Sequence, residues 1–191
     1  MSSSAKSSAS SMKATTTPLS GVLLLEPRVF KDGRGFFLES YNENIMRDLG
    51  ITDRFVQDNH SYSTRSVIRG LHYQICHPQG KLVRVAVGEV LDVALDLRRS
   101  SLTFGRWHGE ILSGENCRML WIPPGFAHGF HALSSEAHVL YKATDFYYPE
   151  CERTVLWSDA DLNIDWRLDR PAIVSAKDAQ GSLFRDADSF D

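Results

Sequence analysis

Arg69-Gly70-Leu71-His72-Tyr73-Gln74, followed after a short loop by Gly80-Lys81, is the stretch on which the fold and chemistry of this chain turn. Val67 and Ile68 lead into it, and Leu82, Val83, Val85 and Val87 lead out. An imidazole, two cations and an amide are therefore set between strand-like apolar runs. Strict alternation along a strand puts Gly70, His72 and Gln74 on one face and Arg69, Leu71 and Tyr73 on the other. A strand that gives one face to His and Gln lines a polar cavity more readily than it fills a core. Taken alone, His72 reads first as a hydrogen-bonded core histidine; the rest of the chain has to decide.

Outward from this stretch, short strands follow one another. Val56–Ser63 carries Gln57, Asp58, Asn59 and His60, four polar residues in a strand-like setting. Lys81–Val87 and Val90–Leu97 read as a hairpin turning at Gly88-Glu89. Phe104–Leu112, Cys117–Ile122, Phe126–Leu133 and Val139–Phe146 are further strands, with Pro123-Pro124-Gly125 forcing a turn. Upstream, Gly21–Phe30 reads as a first strand, Lys31–Gly35 as a turn and Phe36–Leu38 as its continuation. One short helix is expected over Asn42–Gly50, capped by Asn42 and stopped by Gly50. After Thr154 the chain reads as loop anchored by Trp157 and Trp166. Turns at such regular spacing indicate an all-β sandwich or barrel and argue against βαβ units.

The chain has 191 residues, which suits one folded domain from residue 19 to 191. Residues 1–18, rich in Ser, Thr and Ala with no apolar run, are expected to be a disordered extension. A net charge of −3 argues against nucleic-acid or anionic-membrane binding, which rests on phosphate neutralisation. No apolar run approaches the ~18 residues of a membrane span. Cys76, Cys117 and Cys151 are odd in number and widely spaced, so free thiols in a reducing compartment are expected.

Several chemistries fail on their motifs. Gly80-Lys81 has Ile75 where a P-loop needs glycine and Leu82 where it needs Ser or Thr. No G-x-G-x-x-G and no G-x-S-x-G is present. His72, His77, His128 and His131 are the metal-ligand candidates, but Tyr73 and Gln74 stand where a His-x-His pair would, and His128 and His131 are three apart, on opposite strand faces. Metal-free acid–base chemistry remains: His72 as base, Tyr141 as proton donor and Lys81 as oxyanion stabiliser suit proton abstraction beside a carbonyl. Tyr141 as plain core and Lys81 as plain surface remain open.

At this point the ordered motifs resemble a known family. Phe30-Lys-Asp-Gly-Arg-Gly-Phe-Phe-Leu-Glu39, Gln57-Asp-Asn-His60, Arg69-Gly-Leu-His-Tyr-Gln74, Gly80-Lys-Leu-Val83, Pro124-Gly-Phe-Ala-His-Gly-Phe130, Tyr141-Lys142 and Ser175-Ala-Lys-Asp178 are similar to dTDP-4-dehydrorhamnose 3,5-epimerases over about residues 22–180. The resemblance implies a cupin-type β-barrel or jelly roll with a few short helices. It implies a cytoplasmic homodimer, without metal or organic cofactor, that acts on a dTDP-4-keto-6-deoxyhexose. The product would be dTDP-4-dehydro-L-rhamnose, and inversion at C3 alone or C5 alone in another deoxysugar pathway is the alternative. A metal-dependent cupin enzyme and a non-catalytic sugar-nucleotide binder are the further alternatives. By resemblance, His72 is the base, Asp178 its carboxylate partner, Lys81 the cation on the enolate oxygen and Tyr141 the acid. Arg69, His128, Glu152 and Lys177 would contact substrate, with Gln57, Asp58 and Asn59 in the binding strand. Tyr147 would stack on the thymine, and Arg34 and Glu39 would reach the nucleotide of a neighbouring subunit. The loop between His72 and Lys81, with Cys76-His77-Pro78, is one residue shorter than is typical of the family.

Overall fold

The computed structural model describes residues 11–191. Two antiparallel sheets lie face to face. The first contains β1 (Met12–Thr16), β2 (Leu23–Pro27), β5 (Gln57–Thr64), β7 (Lys81–Val87), β10 (Met119–Ile122) and β12 (Glu136–Ala143), in the order β1-β2-β10-β7-β12-β5. The second contains β6 (Ile68–Gln74), β8 (Glu89–Asp96), β9 (Trp107–Ser113), β11 (Phe126–Ala132) and β13 (Glu152–Thr154), in the order β13-β6-β11-β8-β9. A separate hairpin, β3 (Val29–Asp32) with β4 (Gly35–Leu38), stands apart with Phe30, Phe36 and Phe37 exposed. This is the all-β sandwich expected from the strand spacing and the jelly-roll class implied by the family resemblance.

Apolar residues at alternate positions explain the layering. Val83, Val85, Leu120, Ile122 and Val139 from the first sheet meet Val90, Ala94, Phe126, Phe130 and Ala132 from the second. The outer face of the second sheet is covered by the C-terminal segment, where Val155, Leu162 and Trp166 pack on Leu71, Leu91, Val93 and Leu95. The outer face of the first sheet is partly covered by α1 (Glu43–Asp48), whose Met46 joins Leu25, Leu82, Met119 and Trp121. Asn42 caps α1 by accepting from the Asn44 and Ile45 amides, and Gly50 follows at φ +83°, as the sequence indicated. Among the described residues, no helix is long and apolar enough to cross a membrane.

Several expectations are corrected. β7 and β8 are consecutive but do not pair: β10 and β12 flank β7, while β9 and β11 flank β8. Gly88 (φ +78°) switches the chain between sheets, in a space where a Cβ would lie 1.9 Å from the Glu136 carbonyl oxygen. Turn residues of this kind mark a sharp change of direction without saying which strands will pair. The stretch expected to be disordered contains β1, which pairs along β2 with Met12 buried over Leu25. Its threonines favour a pleated edge strand. Residues 1–10, expected to be disordered, lie outside the described residues.

The cysteines are also corrected. Cys76 and Cys151 form a disulfide with Cα atoms 5.2 Å apart, while Cys117 is free and buried. The pairing of β6 with β13 (Gln74 opposite Glu152) brings together residues 75 apart, a proximity that sequence spacing does not reveal. The C-terminal segment is not all loop: α2 (Ala176–Ala179) begins at Ser175, whose hydroxyl accepts from the Asp178 amide.

Leu120, fully buried between the sheets, gives a test of this packing. Leu120→Ala should lower unfolding free energy by about 2–5 kcal/mol in urea denaturation, through lost burial and an unfilled cavity.

Candidate active site

Between the two sheets, at one end, opens a cavity of about 250 Å³. Lys81 and Tyr141 enter it from β7 and β12 of the first sheet; Arg69, His72, His128 and Glu152 enter from β6, β11 and β13 of the second. The two histidines are directly opposite one another in the β6–β11 register.

Arg69 and His72 both line this cavity, which strict alternation does not allow. The β6–β11 ladder shifts by one: His72 pairs with His128 but Arg69 with Phe130, so β6 spends three steps where β11 spends two. Such a bulge flips the phase of the side chains beyond it. It is built on two glycines. A Cβ on Gly70 (φ +118°) would lie 2.6 Å from the Gly129 Cα, and one on Gly129 would lie 2.6 Å from the Arg69 carbonyl oxygen. Arg69 is then fixed by its Nε donating to Ser63 Oγ at 3.0 Å and by Nη2 donating to the Tyr62 carbonyl at 3.0 Å.

His72 Nε2 donates to Asp178 Oδ1 at 2.6 Å, and the Gly70 amide donates to Asp178 Oδ2 at 3.4 Å. Burial pushes the Asp178 carboxyl up, but the hydrogen bond and charge of the His72 ring, with help from Gly70 and Ser175, hold it below its ordinary value. An ionised carboxylate only accepts, so the shared proton sits on Nε2 and Nδ1 is the ring nitrogen not engaged by Asp178.

Lys81 is 8% exposed, and its Nζ donates to the His72 carbonyl at 3.3 Å. Burial pulls its ammonium down to about 8, against the opposing charges of Asp92 and Glu152. Tyr141 is pushed upward, chiefly by burial and then by Glu152, so its phenol keeps its proton at neutral pH. Glu152 accepts from the Tyr147 hydroxyl at 2.8 Å and pairs with Lys177 at 2.5 Å. Burial raises the Glu152 carboxyl, but these partners hold it below the ordinary value. Beneath the cavity floor, His128 Nε2 donates to Asp92 Oδ1 at 2.7 Å. His131 points away, bonding the Trp166 carbonyl at 2.7 Å, as the odd spacing of the two histidines required.

The remaining expected site residues are distributed. Tyr147 lines the cavity and Lys177 reaches it through Glu152. Gln57 accepts from the Tyr147 amide at 3.2 Å and donates to Asn59 at 3.0 Å, supporting the cavity rim. Asp58 and Asn59 border a second groove on the other side of Tyr141, where Asp58 pairs with Lys142 at 2.9 Å. Arg34 lies in the β3–β4 turn, paired with Asp32 at 2.6 Å, and Glu39 accepts from Asn42 at 3.1 Å; neither borders the cavity. Sequence reasoning missed Ser61, Gln79 and Asp92. Ser61 was recoverable from its alternation with Gln57 and Asn59. Among the described residues, no three of His, Cys, Asp and Glu come together as metal ligands.

Comparison with known proteins places this geometry in a family. The family model described as dTDP-4-dehydrorhamnose 3,5-epimerase matches residues 16–186. A dTDP-4-dehydrorhamnose 3,5-epimerase of Pseudomonas aeruginosa is 58% identical over 180 residues, covering 94% of this chain and 99% of the relative. One of Shigella flexneri is 54% identical, covering 94% and 99%. The crystal structure of dTDP-6-deoxy-D-glucose-3,5-epimerase from Legionella pneumophila, in complex with dTDP-4-keto-L-rhamnose, superposes with a TM-score of 0.90 at 50% identity, covering 93% of this chain and 95% of that one. With most of its length matched at this similarity, the chain belongs to the dTDP-4-dehydrorhamnose 3,5-epimerase family of isomerases.

Proposed function

We propose that the cavity inverts C3 and C5 of dTDP-4-dehydro-6-deoxy-D-glucose, giving dTDP-4-dehydro-L-rhamnose, by proton removal and return beside the C4 ketone. The observation that carries this is the placement of His72 and Tyr141 on opposing sheets, facing one cavity. His72 Nδ1 takes the proton from carbon, and the C–H electron pair moves into an enolate whose charge rests on the C4 oxygen. Asp178 holds the ring and balances the imidazolium. Lys81, cationic below about pH 8, stabilises the enolate oxygen. Tyr141 gives its phenolic proton to the opposite face of the planar carbon, and inversion follows from base and acid lying across the sugar.

Arg69, His128, Glu152 and Lys177 supply substrate contacts, with Gln57, Asp58 and Asn59 on the binding strand. Tyr147 would stack on the thymine, a reading supported by its exposure at the rim and the tether through its hydroxyl. Arg34 and Glu39 serve the nucleotide site of a second copy in a homodimer. The projecting β3–β4 hairpin, with three exposed phenylalanines beside Arg34, supports that assignment because it lacks an apolar cover of its own. A diphosphate-bearing substrate does not cross membranes unaided, which favours the cytoplasm as the compartment.

Incubation of enzyme and substrate in D₂O should place deuterium at both C3 and C5; label at neither carbon would reject the reaction. His72→Ala should lower turnover by about 10²–10⁴. Tyr141→Phe should retain hydrogen exchange while epimerisation falls, read by comparing label with product in one reaction. Asp178 contributes stability above about pH 4 that is lost as pH falls through its depressed folded value. The stability gap between wild type and Asp178→Asn should therefore shrink on acidification below pH 4, measured by denaturant titration.

A further inference from the structure

Asp92 is fully buried in the middle of β8, and the chemistry above does not use it. Its neighbours on the same inner face are Val90 and Ala94 of the apolar core, a costly place for a carboxylate. One oxygen accepts from His128 at 2.7 Å, while the other, Oδ2, is buried with no hydrogen-bond partner. The half-satisfied carboxylate lies below a cavity whose buried ammonium, Lys81, makes no ion pair among the described residues within the usual contact distance. Its charge reaches that ammonium through a low-dielectric interior, where screening is weak.

We propose that Asp92 is a positioning residue, fixing the proton of His128 on Nε2 so that Nδ1 faces substrate, and holding Lys81 in its cationic form by its buried charge. The first half follows from geometry. An ionised Asp92 only accepts, so His128 Nε2 donates, and the ring nitrogen left for the cavity is Nδ1, the same presentation that Asp178 imposes on His72. The second half follows from the charges around Lys81. Asp92 from β8 and Glu152 from β13 favour the cation, and Lys177 from α2 opposes it. His72, His128, Arg69, Tyr73, Tyr141 and Tyr147 complete the ionisable wall. Glu152 is already engaged by Lys177 and Tyr147, which leaves Asp92 as the buried counter-charge without a cation of its own. Glu110, opposite Asp92 on β9, pairs with His108 at 3.1 Å. Two histidines on adjacent strands thus line the cavity, each backed by a buried carboxylate: His72 by Asp178 and His128 by Asp92.

Only the kinetic arm of the test rests on the function proposed above. In protein carrying ¹³C-labelled lysine, the Lys81 signal is assigned by its loss in Lys81→Arg and followed by NMR against pH. In Asp92→Asn its midpoint should fall by about one pH unit from that of wild type. The basic limb of kcat/KM should move down with it, so that the loss well above the limb exceeds the loss below pH 6.5 by about tenfold. An unchanged Lys81 midpoint, or an equal loss of activity at every pH, overturns the electrostatic role. If Asp92→Asn does not fold, wild type still tests the tautomer: ¹⁵N shifts of His128 should report a protonated Nε2 and an unprotonated Nδ1, and the reverse overturns the proposal. A shifted Lys81 midpoint in protein without epimerase activity would reject the proposed reaction and leave the role of Asp92 standing.

Discussion

The site depends on one steric constraint, the contact of two glycines across β6 and β11. Gly70 and Gly129 approach so closely that a Cβ on either would meet backbone of the other strand at 2.6 Å. That approach lets β6 carry one extra residue, and the extra residue turns Arg69 toward the side on which His72 already points. Without the bulge, an arginine and a histidine three apart would project to opposite faces, one into the cavity and one into the apolar layer of Val155, Leu162 and Trp166. The bulge also brings the Gly70 amide within reach of Asp178, so the distortion that gathers the cavity also helps to hold the carboxylate behind His72.

Around this constraint the protein places charges in an interior that would otherwise reject them. Lys81, Asp92, His128 and Asp178 are all buried. Each leans on another polar group: Lys81 on a backbone carbonyl, Asp178 on an imidazole and an amide, Asp92 on a second imidazole. At Asp178 and Lys81, burial and the surrounding charges pull in opposite directions. The balance leaves carboxylates ionised, a phenol protonated and an ammonium pulled down to about 8. His72 and Tyr141 come from different sheets, so the width of the sandwich sets the gap between them.

Much of this was legible in the sequence. Alternating runs gave the strands, Asn42 and Gly50 the ends of α1, and the Arg69–Gln74 and Gly80–Lys81 stretches the cavity wall. What was not legible depended on contacts between distant segments. Gly88 marked a turn, but the partners of β7 and β8 were fixed by strands further along the chain. The bulge at Gly70 needs Gly129, and neither glycine alone announces it. Asp92 and Asp96 alternate with Val93 and Leu95 like the wet side of a sheet, yet both faces of β8 are covered. Asp96 survives there because Arg98, Ser101 and Thr103 outweigh its burial and hold its carboxyl at about 2. In Ser175-Ala-Lys-Asp178 the spacing matched a capping box, which would have announced α2; here the Asp178 carboxylate turns instead toward His72.

The Cys76–Cys151 bond has a topological meaning. It closes a covalent ring of chain from residue 76 to residue 151, containing all of β7 to β12. Lys81, Asp92, His128 and Tyr141 lie on the ring; Arg69, His72, Glu152 and Asp178 lie on the two tails that leave it. The cavity is the seam where tails meet ring, and the clasp is fastened beside that seam, next to Glu152. A loop of this length removes roughly 4 kcal/mol of freedom from the unfolded chain by the entropic relation. Where thiols hold the clasp open, the seam stays fastened by Gln74, which bonds from its tail to His77, Phe146 and Tyr148 of the ring segment, while the His77 ring stacks on Tyr148 at 4.2 Å within that segment. Oxidation therefore adds a covalent closure at a rim already held without it.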